Sequence, residues 1–250
     1  LKRAKNPEDM TASFIVSAKN SYLDKTSQTV YKTILNGNDL PYTYNDIYGK
    51  ISLNSSNGSK VNFFGFNFTD DVINYKSISN FGWDSYGGGV NFVIIPGKSP
   101  VLIEGNIAYS DYTAKLEEQN NPDRMSSING FNAGFAFTYF LGKNSLKYGI
   151  EMLGFKTVFD YTKSNGIHMS QIDNTTELGA YIKYKAQFDK LIFEPSFRVQ
   201  AYASLGEVSP EPRLAMKYNV TDWFRLKAAT GMYSQNLIAA NSDRDVVNLF

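Results

Sequence analysis

Along most of the chain apolar and polar residues alternate with a period of two, and the alternation breaks at short intervals on clusters of Gly, Asn, Asp and Ser. In residues 211–236, Leu214, Met216 and Tyr218, then Phe224, Leu226 and Ala228, fall on one face, while Arg213, Lys217, Arg225 and Lys227 fall on the other. Residues 129–140 place Phe131, Ala133, Phe135, Phe137 and Tyr139 opposite Asn132, Gly134, Ala136 and Thr138. Residues 177–188 place Leu178, Ala180, Ile182, Tyr184, Ala186 and Phe188 opposite Tyr181, Lys183, Lys185 and Gln187. Helical spacing of apolar residues is nowhere sustained. The pattern predicts about eleven strands, at 11–19, 42–55, 60–70, 80–96, 100–113, 128–141, 145–160, 175–188, 191–204, 212–218 and 223–234.

Two features separate this pattern from that of a soluble sandwich. Several runs exceed the five or six residues usual in soluble sheets and reach the 9 to 11 that a tilted strand needs to cross a bilayer. The connections also alternate in length. "SSNGSK" (55–60), "PGKS" (96–99), "GKNS" (142–145), "FDK" (188–190) and "NVTD" (219–222) have the composition of tight turns, whereas 20–41, 114–127 and 163–174 are longer polar segments. An up-and-down membrane barrel, with short turns at one end and long loops at the other, predicts this rhythm; a Greek-key sandwich does not require it. Aromatic residues beside the short turns, among them Tyr139, Phe140, Phe188, Phe193, Tyr218, Trp223 and Phe224, stand where an interfacial girdle would lie. The expected fold class is therefore all-β: an antiparallel up-and-down transmembrane β-barrel.

Composition adds a few limits. The 25 basic and 24 acidic side chains leave a net charge of +1, which supplies no electrostatic reason to assign a nucleic-acid partner. There is no cysteine, hence no disulfide or thiolate metal site, and a thiol-free chain suits export through an oxidising compartment. No apolar run approaches the length of a spanning helix. With 18 Phe and 17 Tyr the chain is rich in the rings a lipid boundary uses.

Candidate chemistry is sparse. His168 is the single histidine; it could be a metal ligand or, beside a serine on the barrel exterior, part of a lipase site, but the ordinary reading is a loop residue. "SYGGGVNF" (85–92) lacks the Lys-Ser/Thr and the helix of a phosphate loop, so its glycines are read as allowing curvature or close packing in a strand. Glu104, Lys183, Arg198, Arg213, Arg225 and Lys227 point inward and could meet an anionic substrate or line a solvated wall in which opposite signs neutralise each other. Glu117, Glu118 and Asp123 could hold a hard cation, although Lys115 and Arg124 beside them favour a solvated loop. No catalytic residue, metal site or cofactor is assigned. Tyrosines and asparagines of 20–46 and 70–86 could stack on and hydrogen-bond a solute.

The stretch "PEPRLAMKYNVTDWFRLKAATGMYSQN" (210–236) resembles the barrel segment of TonB-dependent outer-membrane receptors, in which a Pro-Arg-Leu strand, a tight turn and a Leu-Lys-Ala strand ending in Gly-x-Tyr-x-Gln recur. "NFGWDSYGGGVNFVIIPGKSPVLIEGNIAYSDY" (80–112) is similar to an earlier hairpin of that family. The resemblance implies a 22-stranded barrel, an N-terminal plug and a motif that engages an inner-membrane energy-coupling protein. About eleven strands make half such a barrel, so residues 1–250 are expected to be part of the barrel domain, with plug and remaining strands outside them. The implied function is capture of a scarce solute (an iron chelate, a corrinoid, an oligosaccharide or a peptide) for energy-coupled import across the bacterial outer membrane. The expected partners are outer-membrane lipid, that solute and the coupling protein. A passive channel or an adhesin barrel is the alternative, and a barrel lipase a more distant one.

Overall fold

The computed structural model describes residues 10–30, 40–75, 79–97, 99–119, 121–163 and 165–235. They form a single antiparallel sheet of eleven strands in simple meander order, each paired with its neighbours in sequence. The strands are β1 (Thr11–Asn20), β2 (Tyr42–Asn54), β3 (Lys60–Tyr75), β4 (Ser79–Ile94), β5 (Val101–Glu118) and β6 (Asn121–Leu141). They continue with β7 (Asn144–Thr162), β8 (His168–Gln187), β9 (Leu191–Tyr202), β10 (Glu207–Asn219) and β11 (Arg225–Gly231). All eleven expected strands are present. Among the described residues the sheet is open, with β1 and β11 as its edges.

Helical spacing was not expected anywhere, yet α1 (Leu23–Val30) forms inside the polar segment 20–41. Its start is explained locally: Ser21 Oγ accepts from the Leu23 N–H, and the Tyr22 carbonyl accepts from Lys25 and Thr26. The larger correction concerns the two polar segments read as long loops. β5 runs on to Glu118 and β6 begins at Asn121; β7 runs to Thr162 and β8 begins at His168. Residues 114–118, 121, 124–127 and 168–174 are thus paired strand. Polarity misled the sequence reading, because ladder hydrogen bonds form whichever side chains flank them. At its far end β11 stops at Gly231, short of the expected 234.

The five short turns lie at one end. In the β6–β7 turn Gly142 takes φ 63°, and Gly58 takes φ 88° between β2 and β3; both are left-handed values that a side chain disfavours. Pairing is staggered. The row that links Ser52, Asn62, Asn91, Asn106, Gly134, Glu151, Gly179 and Gln200 begins two residues from the end of β2 and finishes nine residues into β9. That is one residue per strand step, or about 3.3 Å of climb for each roughly 4.8 Å of width. It corresponds to a strand tilt near 35°, the range found in barrels.

Glycines are filled by neighbouring rings. The Phe66 and Phe64 rings cover Gly87 and Gly89 on one face, and Phe92 covers Gly105 on the other. A Cβ on Gly87 would lie 2.6 Å from the Tyr109 carbonyl oxygen as well as against Phe66. Gly87→Val should therefore destabilise the sheet by about 1–3 kcal/mol, measurable as a lowered urea midpoint of the folded protein. "SYGGGVNF" is thus ordinary β4 ladder with ring-covered glycines.

Candidate functional site

The front face of the sheet carries Glu104, Lys147, Glu151 and Arg198; the back face carries Ile107, Phe135, Ile150 and Ile182. Back-face residues pack only on their neighbours and stay open: Ile107 is 60% exposed, Ile150 63% and Ile182 48%. A contiguous apolar surface of this kind marks a place where a partner or a lipid phase covers the protein. It ends sharply. Counting from the short turns, ten residues separate Ile94 from Asp84 on β4, Val101 from Asp111 on β5, Leu146 from Lys156 on β7 and Ala186 from Thr176 on β8. Each interval runs from the first apolar back-face residue to a polar one. Ten residues at a tilt near 35° rise about 27 Å, close to the roughly 25 Å apolar band of outer-membrane barrels. Tyr86 and Tyr109, with ring centres 6.5 Å apart, mark its far rim.

Beyond that rim the faces exchange character. The back face becomes polar, with Asp84, Asp111, Asn129, Lys156 and Asn174, and the front face acquires a small apolar core. Ala114 is fully buried and Leu116 is 6% exposed, with Phe81, Trp83 and Tyr112 packed around them. A sheet that leaves lipid for water has to bury its apolar groups on the face opposite to the one it showed the lipid.

Within the band the front face is polar and self-neutralising. Lys147 Nζ lies 2.7 Å from Glu104 Oε2, Arg198 Nη1 lies 2.7 Å from Glu151 Oε2, and Lys183 pairs with Glu194. Arg198 also donates to Gln200 Oε1, and Gln200 donates onward to Glu177. Asparagines extend the ladder sideways: Ser52 donates to Asn62, Asn62 to Asn91, and Asn106 to Asn132. Glu104, Lys147, Glu151, Arg198, Gln200 and Asn106 are among the residues that line an open trough of about 570 Å³. A second trough of about 350 Å³ adjoins it, lined by Lys183, Glu194, Arg213 and Tyr233. Of the six inward charges named from sequence, Glu104, Lys183, Arg198 and Arg213 are in ion pairs. Arg225 stands opposite Asn219, and Lys227 opposite Lys217.

Sequence reasoning missed the most buried charged residue of this face. Glu211 is 2% exposed and accepts from Arg213 and from both the N–H and the hydroxyl of Ser234. Tyr202 donates to the same serine at 3.0 Å, and the Tyr233 ring lies 4.4 Å from the Arg213 guanidinium carbon. Together they pin residues 233 and 234, just past β11, against the front of β10. Parity was the available signal, since Glu211 shares the odd-numbered face of Arg213 and Lys217.

The remaining candidates do not assemble into a catalytic or metal centre. His168 opens β8 on the back face, beyond the band; its Nδ1 lies 3.3 Å from Thr162 Oγ1 and 3.4 Å from Asp160. Glu118 is engaged by Arg124 at 3.3 Å and by Asn121, and Glu117 accepts from Asn80, so two of the three loop carboxylates already have partners. Among the described residues no group of three His, Cys, Asp or Glu is placed to hold a metal ion.

Tyr44, Tyr42, Trp83 and Phe81 form a chain of rings on the front face beyond the band, with centroid separations of 5.9, 6.4 and 5.0 Å. Tyr42 donates its hydroxyl to Asp70 Oδ1 at 2.6 Å. That hydrogen bond, with burial and the Asp70 charge, pushes the phenol up to about 12, so Tyr42 stays neutral across physiological pH.

No family model and no curated protein matches the sequence. Solved structures with a similar arrangement include the Escherichia coli outer membrane transporter YddB, at 7% identity and a TM-score of 0.47 over 85% of this chain. The chain spans 36% of that transporter's length. The ferric citrate transporter FecA is similar over 77% of this chain and 39% of its own, at 15% identity and a TM-score of 0.43. The translocator domain of the autotransporter NalP from Neisseria meningitidis is similar over 91% of this chain and 83% of its own, at 10% identity and a TM-score of 0.34.

Proposed function

We propose that the sheet is a wall of an outer-membrane β-barrel, its back face against lipid and its front face toward an aqueous interior. The ten-residue apolar interval, repeated on four strands and ending at the tyrosine rim, carries this reading. A soluble two-layer protein would need a second layer over an exposed surface that includes Ile107, Ile150 and Ile182. On this orientation the short turns face the periplasm, and the strand ends past the rim stand outside the cell. The resemblance of residues 210–236 and 80–112 to TonB-dependent receptors favours a receptor that takes a solute at its outer end and passes it inward with energy from the inner membrane. The ion-paired front face would serve a passive channel's water-filled wall equally well. The two readings part on energy coupling: a protonophore should abolish receptor-driven uptake and leave channel flux intact.

Topology supplies the direct test. In intact cells, single cysteines at 121 and 165 should react with a membrane-impermeant maleimide, while cysteines at 57 and 220 should react only after the outer membrane is opened. Equal labelling of both sets before opening would sink the barrel reading.

A further inference from the structure

We infer that Asn165, at the tip of the β7–β8 hairpin, is a site of spontaneous deamidation, converting to aspartate and isoaspartate while the protein stays folded. The inference holds whichever side of a membrane the tip faces. The reaction needs an asparagine followed by a residue that leaves its own backbone nitrogen accessible, and glycine, without a Cβ, obstructs it least. The glycine nitrogen attacks the asparagine Cγ and loses its proton; a C–N bond forms, and the Cγ–Nδ2 bond breaks as ammonia leaves. Water then opens the cyclic imide at either carbonyl, giving aspartate or isoaspartate.

Four Asn-Gly pairs stand in the sequence, and 36–37 lies outside the described residues, so the fold has three to separate. Asn129–Gly130 lies in mid-ladder: Asn129 pairs with Asp111 and Lys156, and Gly130 with Ser110 and Phe155. Turning the Gly130 nitrogen toward the side chain would break that ladder. Asn57 sits in the β2–β3 turn with both ends of its amide held. Its Nδ2 donates to the Ile95 carbonyl at 2.8 Å, and its Oδ1 accepts from the Ser59 N–H at 3.0 Å. A Cβ on Gly58 would meet Ile95 Cδ1 at 3.1 Å, so the space beside that glycine is filled.

Asn165 differs on each count. It is exposed, and its Oδ1 accepts from the Ile167 N–H at 3.2 Å, while its Nδ2 has no partner among the described residues. That single bond holds Cγ beside the backbone and leaves the departing nitrogen in water. Nothing lies within 4 Å of a Cβ placed on Gly166, so there is room for the tetrahedral carbon and for the water that follows. The Gly166 N–H donates to the Lys163 carbonyl at 2.8 Å, as the Gly58 N–H does to Ser55 at 3.1 Å, so this restraint is common to both turns. The bond to Ile95 is the additional one at Asn57, and one more hydrogen bond to break before ring closure slows it about tenfold. The product alters the tip. Isoaspartate adds a carbon to the backbone of a turn closed by the Lys163 N–H on the Ile167 carbonyl at 2.8 Å, beside the Thr162 and His168 pair that ends the ladder.

The experiment is peptide mapping by mass spectrometry on the full-length protein, kept folded in detergent in mildly alkaline buffer, beside the same protein kept in urea. In urea all three pairs should convert at similar rates, because the fold no longer separates them. In the folded protein Asn165 should convert about tenfold faster than Asn57, with isoaspartate among its products, and Asn129 should stay intact. Asn165→Gln, whose longer side chain has to close a larger ring, should stop conversion at that position and leave Asn57 as before. Conversion of folded Asn57 or Asn129 as fast as that of Asn165, or an Asn165 that stays intact when folded while it converts in urea, would overturn the inference.

Discussion

Ile182→Arg and Phe135→Arg should each sharply reduce the amount of folded protein recovered from the outer membrane, read as the heat-modifiable band on a gel. Both side chains lie in the middle of the ten-residue band, 48% and 38% exposed, where the proposed neighbour is hydrocarbon. A cation at that depth costs about 2 to 4 kcal/mol. In water the same exposure would make a surface arginine nearly neutral. The control is one residue away. Lys183 points to the opposite face and pairs with Glu194, with 43% and 26% of the two side chains exposed. Lys183→Ser should cost no more than about 1 kcal/mol. Comparable damage on both faces would mean a doubly buried soluble sheet.

The second large effect should come from Glu211. Removing its carboxylate takes the acceptor from Arg213 and from both donors of Ser234, in a place where the carboxylate itself is 2% exposed. Arg213 Nε is already buried without a partner. Breaking a buried pair by deleting one member costs about 3–5 kcal/mol. Glu211→Ala should lower the urea midpoint by a corresponding amount and expose residues 232–235 to protease, because Ser234 loses its anchor. By contrast, Glu104→Ala opens a pair whose side chains are 36% and 38% exposed, and its effect should stay within about 1 kcal/mol. If the two variants behave alike, Glu211 is part of the solvated wall and not a latch.

Strand number, order and the assignment of faces were legible because a period of two is a strong signal wherever one face meets lipid. Ile182 and Lys183 need only adjacency to be placed on opposite sides. The outer ends were not legible for the same reason. Past Asp111 and Asn129 the apolar back-face band has ended and with it the alternation it imposes, so Lys115, Glu117, Asp123 and Arg124 read as loop although they lie in β5 and β6. The site was legible in part. The inward charges could be named from parity, but their pairing joins Glu104 to Lys147 across two strand steps, and single-strand periodicity does not report stagger. Glu211 was hidden by its flanking prolines, which make residues 210–212 look like a break. Pro210 and Pro212 nevertheless occupy β10, on the back face.

The extension of the strands past the rim also bears on how this protein can change over generations. Where an outer-membrane barrel ends in long loops, insertions and deletions at the tips are the cheap form of variation. Here only two residues separate β5 from β6, and the ladder continues to Glu118 and Asn121. A single inserted residue inside that ladder would slip the register and carry every later side chain of the strand to the opposite face. Variation at this end is thereby directed toward substitutions at back-face positions such as Asp111, Thr113, Lys115 and Ser127. The Ala114 and Leu116 packing on the other side of β5 would be left as it is.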